Sequence, residues 1–104
     1  MASIFSKIIQ RELPAHIVYE TETVIAFLDI MPDEEGHTLV VPKYETANFE
    51  DLPPDFARDL GAVMQVVARA VCKAMGTPHY NIVLNNGAAA SQVVFHVHFH
   101  IMPR

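Results

Sequence analysis

His96, His98 and His100 occupy every second position near the end of the chain, with Val97 and Phe99 between them. They are half of the six histidines in 104 residues. Three readings suit such a row. Neutral imidazoles can ligate zinc with a fourth position left open. They can supply a nucleophile and proton carriers at a phosphorus centre. They can also be unrelated side chains on a solvated strand face, although histidine is not a favoured strand residue and strict alternation over three positions is unusual. Same-face residues of a strand lie roughly 6.5–7 Å apart, whereas ligands of one zinc ion lie within ~3.5 Å of each other. A straight row therefore does not enclose an ion, and the sequence offers no obvious cysteine or acidic cluster to complete a cage. Phosphorus chemistry suits the spacing better: one histidine attacks while its neighbours orient it and handle protons.

An acidic protein that attacks phosphate needs local donors. The net charge is −5, from seven Lys and Arg against twelve Asp and Glu, so the surface has no general attraction for nucleic acid or anionic membrane. The stretch "NNGAAASQV", just before the histidines, is the candidate. Gly87 and Ala88 to Ala90 let backbone pass close to a ligand. Ser91 and Gln92 add a hydroxyl and an amide, and nearby N–H groups could form an anion-binding concavity. The plain alternative is a hairpin connection signalled by Asn-Asn-Gly.

The elements that must position these groups follow from pattern. Ile4, Phe5, Ile8 and Ile9 recur at helical spacing after Ser3, a suitable N-cap, and Pro14 ends that segment. "HIVYE" and "TVIAFLDI" read as a hairpin across Thr21-Glu22, "MPDEEGH" as a loop, and "TLVVP" as a third strand. A long helix begins near Pro54 and stops at Gly76, with Phe56, Leu60, Val63, Met64, Val67, Val71 and Met75 on one apolar face. "YNIVLNN" and "VVFHVHFHIM" are the last strands. In the second, alternation predicts Val93, Phe95, Val97, Phe99 and Ile101 on the core face and Val94, His96, His98, His100 and Met102 opposite. The expected fold is α+β: a single domain over 1–104, with a five-stranded antiparallel sheet, a short N-terminal helix and one long helix packed on one face.

A chain this short supports one core. Hydrophobic residues make up 51%, more than so small a body easily hides, so a homodimer is expected. Cys72 is the sole cysteine and reads as a small buried hydrophobe in a reducing compartment. No apolar run reaches the roughly 18 residues of a transmembrane helix, and the N-terminus lacks a secretory signal, which makes the cytoplasm the expected location.

The segment "NNGAAASQVVFHVHFHIMPR" resembles the signature of the histidine triad (HIT) family of nucleotide hydrolases and transferases, in its Hint-like branch. "IFSKIIQRELPAHIVYETETVIAFLDIMPDEEGHTLVVPK" resembles that family's N-terminal half, so the likeness covers nearly the whole chain. The resemblance implies that His98 is the nucleophile, carrying a nucleoside monophosphate as a phospho-histidine. His96 and His100 would position it, bond the phosphate and assist the leaving group. His37 matches a fourth histidine packed against the triad, and Asp29 an acid that accepts hydrogen bonds from ribose hydroxyls. Phe27 and Ile30 would lie along the base and sugar pocket and Asn85 near phosphate or ribose. Gln92 and the backbone at Val93 and Val94 would contact the phosphate.

The resemblance implies hydrolysis of purine nucleoside 5′-phosphate derivatives, phosphoramidates or adenylates, with no cofactor required. Dinucleoside polyphosphate hydrolysis is the alternative within the family, and a nucleotide-binding regulator with little turnover the alternative outside catalysis. Asn85 and the compact length favour phosphoramidates, while His100 argues against the hexose-phosphate transferase branch, which carries glutamine there. Three departures stand out. Many bacterial relatives have two zinc-binding cysteines where Ser3 and Ser6 stand, and a histidine where Glu45 stands, which argues against a structural zinc. Some have Ser or Thr at the position of Val93. Relatives also continue past the position of Arg104, with a tail that helps to shape the partner's pocket.

Overall fold

A computed structural model describes residues 3–30 and 35–104; the loop expected over 31–37 lies partly outside them. Helix α1 (Ile4–Ile9) leads to strands β1 (Ile17–Glu20), β2 (Val24–Leu28) and β3 (Thr38–Pro42). Helix α2 (Pro54–Met75) follows, then β4 (Tyr80–Leu84) and β5 (Phe99–Pro103). All neighbours pair antiparallel in the order β1-β2-β3-β5-β4, which makes the last strand an interior one.

Local chemistry explains the boundaries. Ser3 caps α1, its hydroxyl accepting from the Ser6 N–H. The helix ends at Ile9, one turn before Pro14, as Arg11 takes a positive φ of 64°. Pro54 opens α2, and Gly76 closes it at φ 67°, in the left-handed region that favours glycine.

β2 and β3 are buried on both faces, and their alternation feeds two cores. Val24, Ala26, Val40, Val97 and Ile101 pack against Leu60, Val63, Val67 and Val71 of α2. Ile25, Phe27, Leu39 and Val41 point the other way and pack against Phe5 and Ile8 of α1. The two helices therefore flank opposite faces, in place of the single helical face expected, because strands apolar on both sides need two covers.

The histidine strand is also shorter than its alternation suggested. Pairing begins only at Phe99, opposite Val40 and Leu84. Upstream, the Val97 N–H donates to the Thr46 carbonyl at 2.7 Å, outside any ladder. Val97 and Ile101 reach the core as expected. Val93 and Phe95 do not: they are 83% and 54% exposed, since the chain has left the sheet before it reaches them.

Candidate active site

Leu39 of β3 and His100 of β5 sit directly across from each other in the sheet, on the face covered by α1. Beside them opens a cleft of about 810 Å³ between that face, α1 and the loop after β4. Its walls are largely apolar: Ile4, Phe5 and Ile8 on one side, Phe27, Leu28 and Leu39 on the floor, and Val93 and Val94 opposite. Its polar lining comes from Asp29, Asn85, Ser91, His98 and His100. Ile30, 81% exposed, stands at the rim. The structure thus brings Phe27, Asp29, Ile30, Asn85, Val93, Val94, His98 and His100 to one cavity.

The three histidines differ in what their ring nitrogens do. His96 is fully buried, with Nε2 2.8 Å from the Pro42 carbonyl and Nδ1 2.9 Å from the Ser3 hydroxyl. A carbonyl only accepts, so Nε2 carries the proton. Both nitrogens are engaged inside the protein and the ring does not line the cleft. Of the roles expected for His96, the geometry shows a contact with His98 through the backbone carbonyl and no ring contact with the cleft. That carbonyl accepts from His98 Nδ1 at 2.8 Å, which puts the His98 proton on Nδ1 and leaves Nε2 with the lone pair. Burial pushes the proton affinity of both rings below the ordinary histidine range, against the opposing pull of those carbonyl bonds. Phe5 fixes the His98 ring from the side, edge-on at 4.9 Å between centroids.

His100 stands 5.0 Å from His98 between ring centroids, closer than an ideal strand row allows. Its Nδ1 lies 2.9 Å from Nε2 of the buried His37, whose Nδ1 lies 3.7 Å from the Asp29 carboxylate. That last gap exceeds a hydrogen bond but is within electrostatic reach. Asp29, His37 and His100 form a line along which a proton can be shared, and sequence spacing alone did not show that the fold would assemble it. Each of the three offers a ligand atom within 4.8 Å of the others. Zinc would need ~3.5 Å between ligands, and the His37–His100 bond already uses two of the nitrogens.

Gln92 turns out to brace the loop. Its Oε1 accepts from the Gly87 N–H at 2.7 Å, and its Nε2 donates to the carbonyls of Ala47 and Val94 at 3.0 and 3.1 Å. Of the N–H groups expected to face an anion, those of Ala90, Ser91 and Gln92 donate to Ala88 or Gly87 within the loop. Ser91, turned into the left-handed region at φ 73°, lines the cleft in its own right. The wall supplied by α1 was missed in the sequence; only the helical spacing of Ile4, Phe5 and Ile8 hinted that this face needed a partner.

Ser3, Ser6 and Glu45, the residues for which the resemblance implied zinc ligands in other members, do meet in space. They surround His96 Nδ1. Two neutral hydroxyls and a carboxylate beside one imidazole do not match the thiolate and imidazole sets of structural zinc. The group does not fit here.

Comparison with known proteins agrees with this geometry. A family profile for the HIT domain matches residues 10–104. An uncharacterized HIT-like protein of Methanocaldococcus jannaschii is 52% identical over 102 residues, covering 97% of this chain and 78% of that protein. Adenosine 5′-monophosphoramidase of Saccharomyces cerevisiae is 45% identical over 103 residues, covering 99% of this chain but 63% of the yeast protein. The crystal structure of a Hit-like protein from Bartonella henselae superimposes with a TM-score of 0.94 at 43% identity, covering 98% of this chain and 78% of that one. A profile match over most of the chain, a shared fold and a histidine triad with two members lining a cleft lead to one conclusion: the chain belongs to the HIT family, in its Hint-like branch.

Proposed function

We propose that this protein is a nucleotide-binding hydrolase that cleaves purine nucleoside 5′-phosphate derivatives, phosphoramidates or adenylates, through a nucleotidyl-histidine intermediate on His98. The observation that carries the reading is the His98 Nδ1 bond to the His96 carbonyl beside an apolar cleft. It leaves Nε2 as a neutral nucleophile in a site that excludes much of the water.

In the first step Nε2 attacks phosphorus and the bond from phosphorus to the leaving amine breaks. The amine departs with a proton that His100 delivers, drawing on its link to His37 and Asp29. In the second step water attacks phosphorus and gives one proton back to His100 while its hydroxyl stays on the phosphate; the Nε2–P bond breaks, its electron pair returns to Nε2, and the monophosphate leaves with His98 neutral again. Asp29 takes the ribose hydroxyls, Phe27 and Ile30 border the base and sugar, and Asn85, Ser91 and the backbone at Val93 and Val94 face the phosphate. His96 and Gln92 support these groups from beneath. The yeast relative's activity as an adenosine 5′-monophosphoramidase favours a phosphoramidate over a dinucleoside polyphosphate. No step requires a metal or other cofactor.

The active form we propose is a homodimer. β4 is an edge strand whose Tyr80 and Ile82 are 43% and 46% exposed, and its register runs without interruption. The opposite edge, β1, is broken by a bulge between Ile17 and Tyr19, which discourages pairing.

The deciding experiment is turnover of an adenosine phosphoramidate by wild type and His98→Asn, with intact-mass analysis of enzyme quenched during turnover. Wild type should turn over and carry a transient adduct of one AMP, and His98→Asn should do neither. Equal rates would remove His98 from the mechanism. AMP binding without turnover by either protein would make the chain a nucleotide-binding regulator.

A further inference from the structure

The first turn of α1 touches the catalytic histidines at two places, and its contacts form a closed hydrogen-bond circuit. Because His96 Nε2 donates to Pro42, Nδ1 must accept. Ser3 Oγ accepts from the Ser6 N–H at 3.1 Å and stands 2.9 Å from Nδ1 against 3.5 Å from Ser6 Oγ, so its single proton goes to the nearer acceptor, the imidazole. Ser6 Oγ, 3.4 Å from the same nitrogen, gives its own proton to Glu45 Oε1. Glu45 Oε2 returns to the turn by accepting from the Ser3 N–H at 3.3 Å. Each donor finds an acceptor, in a region where Ser6 and His96 are 8% and 0% exposed.

We propose that Ser3, Ser6 and Glu45 form a metal-free latch that positions the nucleophile, Ser3 acting on His98 through the tautomer and seating of His96. Two couplings carry the effect. Holding His96 at both ring nitrogens seats the peptide whose carbonyl accepts the His98 Nδ1 proton. Phe5, on the same helical turn, packs its ring edge-on to His98. The three groups are the ones for which the family resemblance implied zinc ligands. Here directional hydrogen bonds replace the ion, so positioning depends on individual hydroxyl protons and is indifferent to chelators. The proposal rests on the reading of His98 as the nucleophile.

The test compares wild type, Ser3→Ala, Ser3→Thr and Glu45→Gln. Kinetics with an adenosine phosphoramidate are combined with long-range 1H–15N spectra of histidine-labelled protein. In wild type, His96 Nδ1 should show a hydrogen-bonded, unprotonated signal, and His98 a protonated Nδ1 with unprotonated Nε2. Ser3→Ala should shift the His96 Nδ1 signal, mix the His98 tautomers and lower kcat by about 10- to 100-fold, with KM changed less than about two-fold. Ser3→Thr, which keeps both hydroxyl and helix cap, should restore signals and kcat together. Glu45→Gln should give a smaller loss of the same kind, and serves if Ser3→Ala does not fold. Excess chelator should leave the wild-type rate unchanged.

An Ser3→Ala protein with wild-type kcat and an unaltered His98 pattern would overturn the latch. So would stoichiometric zinc in untagged protein whose removal abolishes activity. If wild type turns over no nucleotide, the hydrolase reading fails, while the 15N spectra still decide whether Ser3 sets the two tautomers.

Discussion

At the scale of single residues, the site works by assigning protons. One carbonyl, that of His96, decides which nitrogen of His98 is nucleophilic. Burial depresses the proton affinity of His96 and His98 from the ordinary value of 6.5. The His96 backbone carbonyl and then the Asp29 carboxylate oppose the shift at His98, while the His96 and His37 rings add to it. A histidine with a lowered folded pKa stabilises the fold fully above the unfolded value and progressively less as pH falls through the folded one, because the unfolded chain binds protons that the fold refuses. The acid limb of kcat/KM is therefore expected below pH 6.5, and a pH–rate profile locates it; a limb above that value would contradict a desolvated nucleophile. The urea midpoint should likewise drop on acidification through this range. Replacing Gln92 by Ala should raise KM by about ten-fold while the protein still unfolds in one cooperative transition, since it releases the loop that carries Ser91, Val93 and Val94; steady-state kinetics beside thermal denaturation check this.

At the scale of elements, α2 and its stop were legible in detail, from Pro54 and the apolar stripe to Gly76. The histidine strand was legible only in part. Alternation held from Val97 to Ile101 and failed at Val93 and Phe95, because sheet pairing starts at Phe99 and nothing local says where a ladder begins. Two glycines separate conformation from packing. A Cβ at Gly76 would meet nothing within 4 Å, so Gly76→Ala should cost only the left-handed penalty of about 1–2 kcal/mol. At Gly36, φ is 85° and a Cβ would lie 2.9 Å from Cγ and Sδ of Met75 and 3.2 Å from Pro103. Gly36→Ala should cost more than Gly76→Ala, as urea titration of both variants would read out.

At the scale of the whole molecule, two cores share one sheet. The α2 side is the larger, and Leu60, 1% exposed within it, should cost about 2–5 kcal/mol on replacement by Ala. The α1 side is smaller and doubles as a wall of the cleft, so stability there and substrate binding draw on the same side chains. Among the described residues no helix is long and apolar enough to cross a membrane. The exposed β4 edge gives the assembly its test. Light scattering should report a dimer for wild type, and Ile82→Lys should shift it toward monomer. A monomeric wild type at micromolar concentration would dispose of the paired-edge arrangement.

The available chemistry and most of the local structure were already written in the order of the residues. Residue types at fixed spacing supplied the triad, its family likeness, the caps and the helical faces, because propensity, capping and alternation act over a few neighbouring residues. Tertiary structure decided how the chemistry is distributed. It sealed His96 inside the protein and set His98, itself buried, at the wall of the cleft, although both occupy equivalent places in the repeat. It made Gln92 a brace, brought Asp29 and His37 to His100, and joined Ser3, Ser6 and Glu45 around one imidazole nitrogen. Those assignments depend on which groups satisfy one another once water is excluded, and partners as far apart as Ser3 and His96 meet only when the sheet and both helices are assembled.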